Sequence, residues 1–175
     1  MPLYLIELKP AEATKESVGV LIEKVVSAVG SSDGELIETQ VTSDHRIVFV
    51  IVEADSPRFA SPVVKAVEGV AEIAGPDEVR LVGAELDDIK KLKAHADYLV
   101  EWDIPAEITM DQYLARKKAN SPKYAEVPEV SFLRTYVRED TAKCLCFYDA
   151  PDEDAVTRAR AAVQTPIDRL FKLDA

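Results

Sequence analysis

The sequence predicts an α+β fold: tandem ferredoxin-like βαββαβ repeats forming an intramolecular dimeric α/β-barrel-like pseudo-dimer. Three observations carry that expectation. Tyr4-Leu5-Ile6-Glu7 recurs as Tyr98-Leu99-Val100-Glu101, and a Pro-Ala-Glu follows each, at Pro10-Ala11-Glu12 and Pro105-Ala106-Glu107. Residues 36–54 align without gaps on residues 132–150, sharing Thr-x-Val at Thr39/Val41 and Thr135/Val137. Each copy then closes similarly, with Val79-Arg80-Leu81 in the first and Asp168-Arg169-Leu170 in the second. Ordered self-similarity at a nearly constant offset is the mark of a duplicated structural unit. The division that follows is 1–85 for repeat 1, 86–97 for a helical linker and 98–175 for repeat 2.

The elements of the first copy follow from periodicity. Short β-branched and aromatic runs predict strands over 3–8, 35–41, 47–52 and 78–82, with Thr42-Ser43-Asp44-His45 as a hairpin turn between the middle two. Residues 14–29 carry Val18, Leu21, Ile22, Val25, Val26 and Val29 at helical spacing, with Thr14 as N-cap and Gly30 as the stop. A second helix is expected over 58–73, ending before Gly75-Pro76. The second copy repeats the order: strand 98–102, helix from Thr109, strands 131–137 and 143–148, helix 152–163, strand 169–173. Between the copies, residues 86–96 are charged and contain no Pro or Gly, which predicts a short linker helix.

One such sheet covers a single face with its two helices. In the first copy the third strand is apolar on both sides, Phe49 and Ile51 alternating with Val48, Val50 and Val52, so both faces call for burial. A second sheet in the same chain supplies the cover, hence the expected pseudo-dimer, monomeric or as a homodimer.

Composition narrows the partners. A hydrophobic fraction of 47% in 175 residues supports a true core and excludes disorder. Lys and Arg number 21 against 32 Asp and Glu, and the formal charge of −11 repels phosphate backbones and anionic lipid alike, so nucleic acid and membrane are excluded as partners. No apolar run approaches the roughly 20 residues of a membrane span, and the opening Met1-Pro2-Leu3 has no signal-peptide character. A cytoplasmic protein is expected. Cys144 and Cys146 lie one residue apart on a strand, where a mutual disulfide is strained, so they read as free thiols.

Alternation also predicts where chemistry sits. Leu145 and Phe147 are expected under the helices, leaving Cys144, Cys146 and Tyr148 on the opposite face with Phe132, Arg134, Tyr136, Leu99 and Glu101. The aligned positions of the first copy are Glu7, Glu38, Gln40, Val48, Val50 and Val52. Glu101, Arg134, Tyr136, Cys146 and Tyr148 therefore form the candidate ligand-binding pocket, between the sheets: Arg134 as an anion clamp, the tyrosines for hydrogen bonding or stacking, Glu101 as a proton acceptor. The structural alternative is a Glu101–Arg134 ion pair with tyrosines as apolar bulk. Cys-x-Cys on a strand is no redox motif, and its thiols are expected to pack as small apolar groups. His45 in the turn and His95 on the linker are expected in solvent. The sequence contains no Gly-rich phosphate loop, nucleophile elbow or paired-histidine motif, so no cofactor, metal or catalytic residue is predicted.

The run Lys143 to Val156, the Tyr98-Leu99-Val100-Glu101 strand and the closing Pro166-Ile167-Asp168-Arg169 resemble domain of unknown function 4242, the nickel-responsive-protein-like family. Its Cys-x-Tyr-x-Ala-Pro-x-Glu pattern is met by Cys146, Tyr148, Ala150, Pro151 and Glu153. The resemblance covers about the last 80 residues and reaches the first half through the repeat. It implies a ferredoxin-like fold that dimerises through its sheets. It also implies a nickel link in some members, but the histidine those members carry in the second helix is Ala159 here, and Trp102 and Asp103 stand after the first-strand Glu. Without imidazoles a nickel site lacks its borderline ligands.

The expected function is thus a small-ligand-binding or accessory protein taking a small anionic or aromatic ligand. The alternatives are a cofactor-free enzyme of oxygenase, isomerase or cyclase type with Glu101 as base and Arg134 as clamp, a nickel or other metal-binding protein, and an assembly module with an acidic surface.

Overall fold

A computed structural model describes residues 1–92 and 95–174. The chain forms two compact units, one of residues 1–79 with 87–92 and Asp174, the other of Arg80–Leu86 and His95–Leu173.

The first unit runs β1 (Leu3–Pro10), α1 (Lys15–Gly30), β2 (Glu35–Val41), β3 (Val48–Glu53), α2 (Ala60–Val67) and β4 (Ala71–Val82), whose last three residues belong to the second unit. Its sheet order is β2-β3-β1-β4 with antiparallel neighbours. Thr14 caps α1, its hydroxyl accepting from the Ser17 amide at 3.1 Å. Val18, Leu21 and Val25 of α1 and Val63 and Val67 of α2 pack on Ile6, Leu8, Val48, Val50 and Val52 of the sheet. Each of those fully buried valines contributes on the order of 1.5–3 kcal/mol.

The second helix is shorter than the sequence predicts. It ends at Val67, Glu68 leaves the helical region at φ −55°, ψ 128°, and β4 begins at Ala71. Val70 and Ile73 do fall on the helical spacing, but Ala71–Ala74 find ladder partners in Glu7–Pro10, and backbone pairing overrides a weak propensity. The strand continues through Gly75-Pro76 with a register shift opposite Leu5/Glu7. Gly75 has φ +95°, and a Cβ there would stand 2.5 Å from the Leu5 carbonyl oxygen, so glycine is what allows the strand through.

The second unit repeats the connectivity: β5 (Tyr98–Asp103), α4 (Met110–Asn120), β6 (Ser131–Arg138), β7 (Lys143–Asp149), α5 (Glu153–Ala162) and β8 (Arg169–Lys172), with sheet order β6-β7-β5-β8. A capping box starts α4: the Thr109 hydroxyl accepts from the Gln112 amide and the Gln112 side chain accepts from the Thr109 amide. The Asp152 carboxylate caps α5 through the Ala155 amide at 2.8 Å. The segment expected to link the copies carries α3 (Leu86–Leu92), of which residues 87–92 belong to the first unit; residues 93 and 94 lie outside the described residues. Lys90 of α3 reaches Glu35 at 3.2 Å and Glu53 at 3.1 Å.

The two units share one irregularity. β2 shifts register against β3 between Leu36 and Glu38, and β6 shifts against β7 between Phe132 and Arg134. These are aligned positions of the sequence repeat, so the extra residue, Ile37 or Leu133, is repeated with the fold.

That bulge and the burial pattern reverse part of the expected face assignment. Residues directly opposite on neighbouring strands share a face. Cys144, Cys146 and Tyr148 pair with Trp102, Val100 and Tyr98 and lie under the helices, against Tyr113, Ala155, Val156 and Ala159. Leu145 and Phe147 take the other face, with Glu101 and Leu99 opposite them. In β6 the bulge puts Phe132 on the helix side, opposite Tyr148, and Arg134 on the other, opposite Phe147. In the first unit likewise Val48, Val50 and Val52 lie under the helices, while Glu38 and Gln40 pair with Ile51 and Phe49 on the opposite face.

Candidate functional site

The five residues predicted to form one pocket are divided between the two faces of the second sheet. Glu101, Arg134 and Tyr136 lie on the face away from the helices and are buried there. Glu101 is clasped by Lys143 Nζ at 2.5 Å and Arg169 Nε at 3.0 Å, so its ion-pair partners are these two and not Arg134. The Arg134 guanidinium lies 4.6 Å from the Phe147 ring centre, and Tyr136 meets the same ring edge-on at 5.9 Å. Arg169 also holds Asp103 at 2.5 Å, which keeps that carboxyl below its usual range. Cys146 and Tyr148 lie on the other side of the sheet, under the helices.

There they meet groups the sequence reading passed over. A cavity of about 20 Å³ lies beneath α4 and α5, lined by buried Trp102, Tyr113, Cys144, Cys146 and Arg160, by half-buried Tyr124, Lys117, Asn120 and Ser121, and by exposed Arg116. That volume holds a water-sized molecule or an ion. Each wall has a local cause. Alternation along β7 delivers both thiols and Tyr148 to the helix side. Tyr113 is the buried residue of α4, and Tyr124 comes from the 3-10 turn Ser121–Glu126. In α5 the buried residues are Ala155, Val156, Ala159 and Arg160, a stripe two residues wide that places Arg160 inside.

Arg160 is 2% exposed. Nη1 donates to the Tyr148 hydroxyl at 3.1 Å and Nη2 to the Pro166 carbonyl at 2.6 Å, while Nε has no partner. Among the described residues no carboxylate reaches it: its hydrogen-bond acceptors are a phenol and a carbonyl, and the acidic group coupled to it is the Cys146 thiol. Tyr148 and Tyr124 share a hydrogen bond of 2.6 Å, extending the chain of polar groups. The two sulfurs are 4.0 Å apart, and the Thr135 hydroxyl donates to Cys146 Sγ at 3.2 Å. The Cys144 thiol donating to Cys146, with Lys117, Arg160 and Thr135, draws the Cys146 pKa below the ordinary thiol range despite burial; the Cys144 pKa rises through the same contact and its own burial. Burial pushes Tyr124 up to about 12 and raises Tyr113 and Tyr148 as well, so the phenols stay neutral donors.

Arg160 was legible in principle: it follows Ala159 on the apolar stripe of its helix, and a charge at a core position is a sign of function or of a paired group. The histidines lie elsewhere. His45 is half-buried, not solvated, with φ +61° and Nε2 3.3 Å from Asp174. His95 is exposed, and with Asp97 and Asp149 it groups three atoms that could ligate a metal within 4.8 Å. Those carboxylates already accept from the Ala150 and Asp97 amides at 3.1 and 3.2 Å, tying the start of β5 to the end of β7.

The second unit is a ferredoxin-like α+β domain with a polar, thiol-bearing cavity on its helix side. Its residues 98–173 match the family model of the nickel responsive protein SCO4226-like, so the C-terminal region is nickel-responsive-like in sequence. No curated protein matches the chain. Among solved structures, the chain is similar to a candidate chlorite dismutase, with 14% identity and a TM-score of 0.59 over 100% of this chain and 96% of that one. It is also similar to a candidate monooxygenase of Fusobacterium nucleatum subsp. nucleatum, with 14% identity and a TM-score of 0.52 over 99% and 91% of the two chains. These likenesses establish the fold class, tandem ferredoxin-like repeats of the dimeric α/β-barrel type. No helix among the described residues is long and apolar enough to cross a membrane.

Proposed function

We propose that this chain is a small-ligand-binding protein whose site is the cavity beneath α4 and α5, and that its ligand is negatively charged once seated. One observation carries the proposal: Arg160, buried and lining the cavity, has an unpartnered Nε and no carboxylate to balance it. Burying a cation without a carboxylate partner is costly, and a ligand charge offsets that cost on binding. The phenols of Tyr113 and Tyr124 supply neutral hydrogen bonds beside it. The enzyme alternative, with Glu101 as base, has less support, since both oxygens of that carboxylate are occupied by cations.

Thermal unfolding with formate, nitrite, azide, thiocyanate and thiophilic metal ions, on wild type and Arg160→Met, tests the proposal. A ligand at 100 times its Kd stabilises by about 2.7 kcal/mol, a shift of roughly 5–10 °C for a chain of this size. The expected result is such a shift in wild type and its loss in Arg160→Met. A panel in which no member shifts wild type, or in which the variant responds equally, overturns the assignment.

A further inference from the structure

Resting on that assignment, we propose that the occupant is a monovalent thiophilic metal ion, Cu(I) or Ag(I) in class, held between Cys144 and Cys146 as an anionic bis-thiolate complex that Arg160 neutralises. The sulfurs are already gathered: 4.0 Å apart, on one face of one strand, both lining the cavity. Two metal–thiolate bonds of roughly 2.3 Å span up to about 4.6 Å end to end, so small χ1 rotations take the pair from its present spacing to two-coordinate geometry.

The rest of the lining decides the kind of ion. The cavity wall offers phenols, an amide, hydroxyls and cations but no imidazole or carboxylate. Zinc wants four ligands and nickel wants nitrogen or oxygen donors, and neither set is present; two thiolates alone suit a soft monovalent ion. Charge gives the same answer. Protons still held by the thiols leave to solvent as the ion binds, giving two thiolates and one M⁺, a net charge of −1 beside Arg160 and Lys117. A divalent ion would leave a neutral complex that offsets neither cation. The Thr135 hydroxyl, donating to Cys146 Sγ at 3.2 Å, fixes one ligand without competing for the metal. The lining residues open to solvent are exposed Arg116 and half-buried Lys117, Asn120 and Ser121. In the first unit the aligned positions are Val48 and Val50, so the site occurs once per chain.

The test is anaerobic titration of the reduced full chain with Cu(I) against a chromogenic Cu(I) chelator, for wild type, Cys144→Ala, Cys146→Ala and Arg160→Met, with circular dichroism of each apo-protein. One ion per wild-type chain is expected, with release of protons, at least 100-fold weaker binding in either cysteine variant and about 10-fold weaker binding in Arg160→Met. X-ray absorption on copper-loaded wild type, which needs no variant, should find two sulfur neighbours and no nitrogen. Failure of wild type to compete, retention of affinity in Cys144→Ala, a nitrogen or oxygen shell, or tighter binding of Zn(II) or Ni(II) overturns the proposal. If small anions stabilise wild type through Arg160 while Cu(I) does not bind, the metal proposal falls and the anion site stands.

Discussion

Replacing Arg160 by methionine separates a ligand-balancing cation from a structural strut. The change removes two hydrogen bonds to the guanidinium, to Tyr148 and to Pro166. Bonds to a charged donor contribute about 1.5–3 kcal/mol each, so the loss is about 3–6 kcal/mol. Against it stands the desolvation of a cation without a carboxylate partner, several kcal/mol as well. The orphaned acceptors are not stranded: Tyr148 keeps its bond to Tyr124, and Pro166 is exposed, where water replaces the lost donor. Methionine retains most of the side chain's apolar stem. The terms nearly cancel, and the apo-protein should change in stability by no more than about 1.5 kcal/mol in either direction. Urea unfolding at constant m-value reads this directly. A loss above about 3 kcal/mol would mean that the guanidinium is fully compensated in the apo state, and the case for a charged ligand would collapse. Arg160→Ala, which also empties the stem's volume, should lose about 2–4 kcal/mol and serves as the internal comparison.

Elsewhere in the second unit, Glu101→Gln leaves Lys143 and Arg169 facing each other without the carboxylate between them, and should cost about 2–4 kcal/mol by urea unfolding; a cost under 1 kcal/mol would deny the clamp any structural weight. Asp103 has its pKa depressed by Arg169, so its stabilising contribution is present above the unfolded value of about 3.9 and disappears as pH falls through the folded one. In a pH series of unfolding midpoints Asp103→Asn should accordingly flatten the acid limb and leave the neutral region nearly parallel to wild type. Gly83→Ala should destabilise by about 2–3 kcal/mol, because Gly83 sits at φ +87° and a Cβ would come within 2.5 Å of the Phe132 ring; that ring stacks on Tyr124 at 5.5 Å, so near-ultraviolet circular dichroism should change with it.

The duplication was legible because its anchors are backbone-determining: the strand motifs, the caps at Thr14 and Thr109, and the Thr-x-Val of the second strand. The face of β7 was not. Cys144, Leu145, Cys146, Phe147 and Tyr148 are all at most 1% exposed, so burial is equal on both sides and hydrophobicity has nothing to discriminate. The expectation put Leu145 and Phe147 under the helices; in fact Cys144, Cys146 and Tyr148 share the helix-side cluster with Ala155, Val156 and Ala159 of α5. A bulge at Leu133 is invisible to any strict period of two, and it displaced Phe132 from the face of Arg134. Of the five predicted site residues, Cys146 and Tyr148 line or border the cavity, while its buried charge comes from Arg160, which lies on the apolar stripe of α5 but was not among the predicted residues.

The valines at 48, 50 and 52 occupy the places that Cys144, Cys146 and Tyr148 hold in the other half. A pair of identical subunits would be obliged to carry every polar feature twice. Covalent fusion lifts that obligation: one half carries an aliphatic filling at these positions, while the other carries two thiols and a phenol.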